Sequence, residues 1–373
     1  MNLEDFFERI ELHYKQSLPF VVYRMPNSDI VKVFLQNDDT LYAVKDYTES
    51  GFVMAPFNIT ETVVFIPLKH SETITVVSKP SGTPIKNSKA SIEEDPNAKA
   101  FHIELVTKGI DAIKQGDLQK VVLSRRELQA LEVANPIEIF KRLSANYSSA
   151  FAYCFYHPKV GIWLGATPET LLKIDGHRLF TTALAATQPY KGTMEVEWNP
   201  KEREEHELVS NFIIDHLRDS TSHLTLGEVE TVKAGKLLHL RTNISGSLNN
   251  QQPHIQHILN TLHPTPAVCG VPKKNAKEFI LAHEGYDREF YTGFLGELNQ
   301  KERKFRATNR HNAENDAFAA PITVTNLFVN LRCMQLKSDQ AIIYVGGGIT
   351  KASKPEDEWE ETVIKAQTIK SVL

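Results

Sequence analysis

Two pairs of glutamates in this sequence are spaced for joint work. Glu358 and Glu361 lie three residues apart in PEDEWEETVIK, so a helix beginning near Glu356 puts both carboxylates on one face, with Lys365 one turn beyond Glu361. Upstream, an apolar strand from Ala341 to Val345 runs into three consecutive glycines, Gly346, Gly347 and Gly348. Backbone without a Cβ can approach a ligand closely and turn its N–H groups toward an anion. The second pair, Glu202 and Glu205, opens the helix KEREEHELVSNFIIDHL, whose apolar stripe is Leu208, Val209, Phe212, Ile213 and Leu217. Both carboxylates extend that stripe at the helix N-terminus. An uncompensated buried carboxylate is costly, and the helix dipole returns only roughly 0.3–1 kcal/mol. A cation would supply the rest. Hard oxygen ligands from two helices, without His or Cys, favour Mg²⁺.

Four further positions could carry chemistry. Lys120 opens the strand KVVLSR among apolar neighbours, a setting in which a lysine can serve as a general base. Glu169, after Pro168 in GATPETLL, lies between apolar runs, where a carboxyl stays protonated and can act as an acid. His239 sits in the apolar run LLHLRTNISGSL, and Arg332, a charge inside the strand VNLRCMQL, wants an anionic partner. Each has a plain structural reading too: a Gly-rich turn before a solvated helix, an exposed acidic first turn, an edge-strand lysine, a helix-start glutamate, a satisfied core histidine. His254 and His257 read as surface, and KERKFRATNR at 301–310 as a solvated hairpin tip.

The elements that must position these residues are mostly strands. Residues 1–77 open with a helix and continue as short β-branched runs (PFVVYRM, IVKVFL, TLYAVKD, ETVVFIPL, TITVVS). A polar stretch from Ser78 to Ala98 reads as a connector, so that residues 1–98 form an N-terminal portion of one fold and 99–373 the catalytic region. Beyond it, helices near 99–116, 136–145 and 201–217 alternate with strands and hairpins, one turning at Gly176, and the loop from Lys191 to Pro200 could act as a lid. Strands outnumber helices and come in hairpins, which predicts α+β with large antiparallel sheets flanked by helices. A net charge of -4 gives no footprint for nucleic acid, and no apolar run is long enough to span a membrane. Cys154, Cys269 and Cys333 read as core residues of a reducing compartment, and the acidic N-terminus fits no targeting peptide, so a cytoplasmic protein, monomer or weak homodimer, is expected.

Taken in order, KVVLSR, GATPETLL, KEREEH, LHL…ISGSL, LHPTPAVCGVPK, YTGFLG, NLRC and GGGIT…SKPEDEWEETVIKA resemble the chorismate-utilising enzymes, which include isochorismate, salicylate, anthranilate and aminodeoxychorismate synthases. The resemblance covers roughly Lys99 to Leu373. It implies Mg²⁺-dependent conversion of chorismate to isochorismate, for a menaquinone or siderophore pathway, with salicylate synthesis in the same site, or a silent metabolite-binding homologue, as alternatives. Lys120, rather than the Gln usual in anthranilate synthases, implies a base that activates water; Ala185 and Ala267 stand where other branches carry a nucleophilic Lys and a Thr. By the same resemblance Glu169 protonates the departing C4 hydroxyl, with His239 nearby. Glu205 and Glu361 hold Mg²⁺ against the ring carboxylate, supported by Glu202 and Glu358. Arg332, Tyr291, Lys365 and the amides of Gly346 to Gly348 bind the enolpyruvyl carboxylate. Two departures bear on the substrate loops: LAGT reads ALAAT here, losing a glycine, and RGxYxG reads REFYTG.

Overall fold

Alternating apolar residues build two large antiparallel sheets in this chain, each with one face on the other sheet and one under helices. The computed structural model describes residues 1–78, 95–132, 134–235, 237–249, 255–302 and 321–373. Most of the connector (79–94), most of the 301–310 tip and His254 lie outside the described residues.

In spatial order the first sheet runs Gly270–Val271, Lys120–Ala130, Gln340–Ile349, Cys333–Lys337, Gly161–Thr167, Phe151–His157, Phe20–Arg24, Ile30–Gln36, Ser71–Val77. The second runs Thr221–Leu226, Leu237–Leu248, Arg178–Pro189, Thr170–Asp175, Ile322–Val329, Phe294–Glu302, Gly51–Ala55, Val64–Pro67, Tyr42–Ala43, with Glu230–Ala234 also paired to Leu237–Leu248. Every described pairing is antiparallel, so the fold is α+β. The N-terminal residues supply strands to both sheets. Between the sheets lies an aromatic layer that includes Tyr23, Phe52, Phe151, Trp163, Phe328 and Tyr344. The helices Leu3–Lys15, Pro136–Asn146 and Pro355–Lys370 cover the first sheet, and Pro200–Leu217 and Ile255–Leu262 cover the second.

Four readings of the sequence change. Gly51–Ala55 is a fully buried strand that the turn-forming Ser50–Gly51 pair disguised. The run PITVTNLFVNLRCMQL is not one strand: Ile322–Val329 belongs to the second sheet and Cys333–Lys337 to the first, with the chain crossing between them at 330–332. Arg332 therefore sits at a crossover, with φ 49°, not inside a strand. The stripe of Pro200–Leu217 is rotated from the expected one: Val209, Ile213 and Leu217 are buried, while Leu208 and Phe212 are only partly so. Glu205 is four residues before Val209 and lies in line with it.

Candidate active site

A cleft opens at the crossover, walled by both sheets and the two helices that carry the paired glutamates. Of the residues singled out from the sequence, Glu169, Glu205, His239, Ala267, Tyr291, Arg332, Gly346, Gly347, Gly348, Glu361 and Lys365 line it. Lys120 stands immediately behind Glu205, and Glu358 behind Gly347.

The three glycines do not form a loop. They continue the Gln340–Ile349 strand and pair with Ser124, Leu123 and Val122 of the neighbouring strand. At Gly348 the lack of a Cβ makes room for a carboxylate, and Gly347 borders two more at ordinary contact distance. A Cβ on Gly348 would stand 2.4 Å from Glu205 Oε1 and 3.2 Å from Lys120 Cε; one on Gly347 would stand 3.4 Å from Glu358 Oε2 and 3.5 Å from Glu361 Oε1. On the neighbouring strand, Val122 N–H donates to Cys269 O and Ser124 N–H to Glu284 Oε1. These two therefore form non-hydrogen-bonded pairs with Gly348 and Gly346, which turn their own N–H and C=O to the open edge. Lys365 Nζ takes the Gly346 carbonyl there, at 2.9 Å.

Lys120 is wholly buried, in a strand with neighbours on both sides at that end, so it is no edge lysine. Its Nζ lies 3.0 Å from Glu205 Oε1. Burial pushes the Glu205 carboxyl up, but Lys120, helped by Lys365 and Lys201, outweighs it and leaves the group below the ordinary carboxylate value. The other two carboxylates are likewise lysine-paired: Glu358 Oε1 with Lys201 at 2.8 Å, Glu361 Oε1 with Lys365 at 2.5 Å. Burial and the adjacent Glu361 push Glu358 up, against the pull of Lys201.

Among the described residues no three His, Cys, Asp or Glu side chains stand as a ready coordination cluster. The donor set still suits a hard divalent cation. Three carboxylates from two helices converge on the strand edge at Gly347 and Gly348, two of them repel each other, and every ligand atom is oxygen. Glu202 does not join them. It closes the capping box of its helix, accepting Asn199 N–H at 2.5 Å, and takes Gln188 Nε2 on its other oxygen at 3.2 Å.

Across the cleft, Glu169 bridges the strands Gly161–Thr167 and Thr170–Asp175 and is 5% exposed. Burial pushes its carboxyl up to about 8, against the charges of Lys120, Arg332 and Lys365. His239 Nδ1 donates to Ala186 O at 2.8 Å, which fixes the tautomer and leaves Nε2 a bare acceptor without a partner among the described residues. Burial lowers its pKa to about 3, so the ring is neutral. Arg332 projects its charge into the cleft. Among the described residues its guanidinium has no hydrogen-bond or ion-pair partner, and Glu169 and Glu361 act on it only through space. Tyr291 is buried beside it, stacked on Tyr344 with ring centroids 5.4 Å apart.

Both departures from the glycine pattern keep the glycine conformation: Ala186 has φ 62° and Glu289 φ 48°. A side chain there costs on the order of 1 kcal/mol. No residue of the Lys191 to Pro200 loop lines the cleft, and the loop's C-terminal end is anchored. Trp198 is buried, its Nε1 donating to Thr231 Oγ1 at 2.9 Å, and Gln188 Nε2 holds Glu197 O at 2.9 Å. Sequence reading missed Lys201, and it missed the buried ion pair Glu284–Arg288. That pair ties Ser124, Val122 O, Val268 O and Thr292 together behind the cleft.

Two family models, each described as chorismate binding enzyme, match residues 53–308 and 322–371. Isochorismate synthase MenF of Escherichia coli strain K12 is 31% identical over 282 residues, covering 73% of this chain and 59% of its own length. Isochorismate synthase DhbC of Bacillus subtilis strain 168 is 29% identical over 281 residues, covering 71% of this chain and 65% of its own length. The match thus spans less than two thirds of either relative. The solved structure of the menaquinone-specific isochorismate synthase MenF from Escherichia coli superposes with a TM-score of 0.75 at 21% identity, over 95% of this chain and 88% of that one. Anthranilate synthase component I from Streptococcus pneumoniae gives 0.64 at 17% identity, over 94% and 92%.

Proposed function

Because the chain belongs to the chorismate-binding enzyme family, we propose that it is an isochorismate synthase, adding water at C2 of chorismate and expelling the C4 hydroxyl. The observation that carries this reading is one cleft served by a fully buried lysine and by a carboxyl that stays protonated to about pH 8. Lys120, acting as the neutral amine once its ammonium has released a proton to solvent, takes the proton of a water whose oxygen bonds to C2. Both ring double bonds shift, from C1=C2 and C5=C6 to C1=C6 and C4=C5, the C4–O bond breaks, and Glu169 gives its proton to the departing oxygen, which leaves as water. One water enters and one leaves, so the product is an isomer. Arg332, without a partner among the described residues, takes a substrate carboxylate together with Tyr291 and the open-edge N–H groups of Gly346 and Gly348. Lys365 holds the edge in place through the Gly346 carbonyl. His239, neutral and with Nε2 free to accept, suits a substrate hydroxyl. Ala267 offers no hydroxyl to an ammonia nucleophile.

Glu205 and Glu361, with Glu358 beside them, would hold Mg²⁺. A bound divalent cation supplies charge for the ring carboxylate, which is conjugated with the double bond under attack. The test is product identification by NMR after incubating chorismate with purified protein and Mg²⁺, with an ammonium arm and an EDTA arm. Isochorismate with Mg²⁺ and no turnover in EDTA is expected. Anthranilate as main product, or salicylate formed as fast as chorismate disappears, would move the chain to another branch.

A further inference from the structure

We propose that Lys201 is a built-in competitor of the metal: without the cation it occupies Glu358, and divalent binding must draw that carboxylate from it. The inference rests on the metal reading above and adds a residue that sets cation affinity. Lys201 Nζ lies 2.8 Å from Glu358 Oε1, with side-chain exposures of 31% and 3%. The lysine thus enters from solvent over a carboxylate that is otherwise sealed. The second oxygen of Glu358 faces the Gly347 edge, beside Glu361. Lys201 precedes Glu205 by four residues, one helical turn, so both project from the same face of Pro200–Leu217. The Lys201–Glu358 pair therefore joins the same two helices that a cation shared by Glu205 and Glu361 would join.

A lysine and a divalent cation cannot both draw fully on one buried carboxylate. Their mutual repulsion at this range, little screened by solvent, acts against the metal. Removing the ammonium leaves Glu358 buried with no lysine, which disfavours the cation-free state. Both effects point the same way: loss of Lys201 tightens cation binding.

The experiment is Mn²⁺ titration of the full chain without substrate, followed by EPR, on wild type, Lys201→Met and Lys99→Met. Lys99 reaches Glu360, at 3.8 Å, and serves as the control for deleting one nearby positive charge. Lys201→Met should bind Mn²⁺ at least about fivefold tighter and Lys99→Met within about twofold of wild type. In EDTA, Lys201→Met should melt below wild type, and saturating Mg²⁺ should close most of the gap. Unchanged or weaker Mn²⁺ binding by Lys201→Met overturns the proposal, as does equal tightening by Lys99→Met. If wild type binds no Mn²⁺, the metal reading itself falls, and the role of Lys201 with it.

Discussion

Replacing Glu169 by Gln removes an ionisable group from a site that opposes its charge, so activity and stability should move in opposite directions. In the folded protein the carboxyl stays protonated to about 8, whereas its ordinary value is 4.5. A folded-state pKa raised in this way contributes stability that is whole below the unfolded value and is lost as pH climbs through the folded one. The window is therefore pH 4.5 to 8: the unfolded chain releases this proton and the folded chain holds it. Each pH unit of the window costs about 1.4 kcal/mol, so the full crossing costs roughly 3–5 kcal/mol, and 5% exposure leaves little room for solvent screening. Gln, of the same shape and never ionised, does not bear that cost. Melting curves of wild type and Glu169→Gln in EDTA, taken across pH 4.5 to 8, should coincide at the acid end and separate by several degrees at pH 8, with the variant the more stable. The same variant should lose on the order of 10²–10⁴ in kcat. A melting difference that does not change with pH, or a variant less stable at pH 8, refutes the protonated carboxyl.

Lys120→Gln keeps polarity and length but accepts no proton; kcat should fall by at least ~10²-fold with KM moving far less, and a variant keeping more than about a tenth of wild-type kcat removes Lys120 as the base. Arg332→Gln should raise KM for chorismate by about 10- to 100-fold, the worth of a charge-assisted contact to a carboxylate, and an unchanged KM places the anion elsewhere. Gly348→Ala puts a methyl 2.4 Å from Glu205 Oε1. Because that oxygen ends a side chain able to swing aside, the fold should survive while Mn²⁺ binding weakens by at least about tenfold; wild-type affinity would show that Glu205 is not needed where it stands.

Much of this site was legible because buried charges are conspicuous against apolar strands. Lys120, Glu169 and Arg332 stood out by type alone, and the four-residue step from Glu205 to Val209 placed that carboxylate in line with a buried stripe. What the sequence concealed depends on partners distant in the chain. The three glycines read as a Gly-rich turn, since nothing local says that the Lys120–Ala130 strand pairs with them or that the Glu205 carboxylate fills the space of Gly348's missing side chain. The break at Arg332 was hidden because an apolar run looks the same whether it stays in one sheet or crosses to another. Glu202 was the avoidable error: Asn199 three residues earlier spells a capping box, which accounts for its carboxylate without a metal. Lys201 gave no signal, because a lysine in a helical first turn looks solvated until Glu358 is placed beside it.

The central claim is that water adds at C2 and the C4 hydroxyl departs within this cleft. It is tested most directly by turning over chorismate in H₂¹⁸O with Mg²⁺ and locating the isotope by NMR and mass spectrometry. The account predicts isochorismate carrying one ¹⁸O, on the C2 hydroxyl. Unlabelled isochorismate, or label found only at C4, would contradict it.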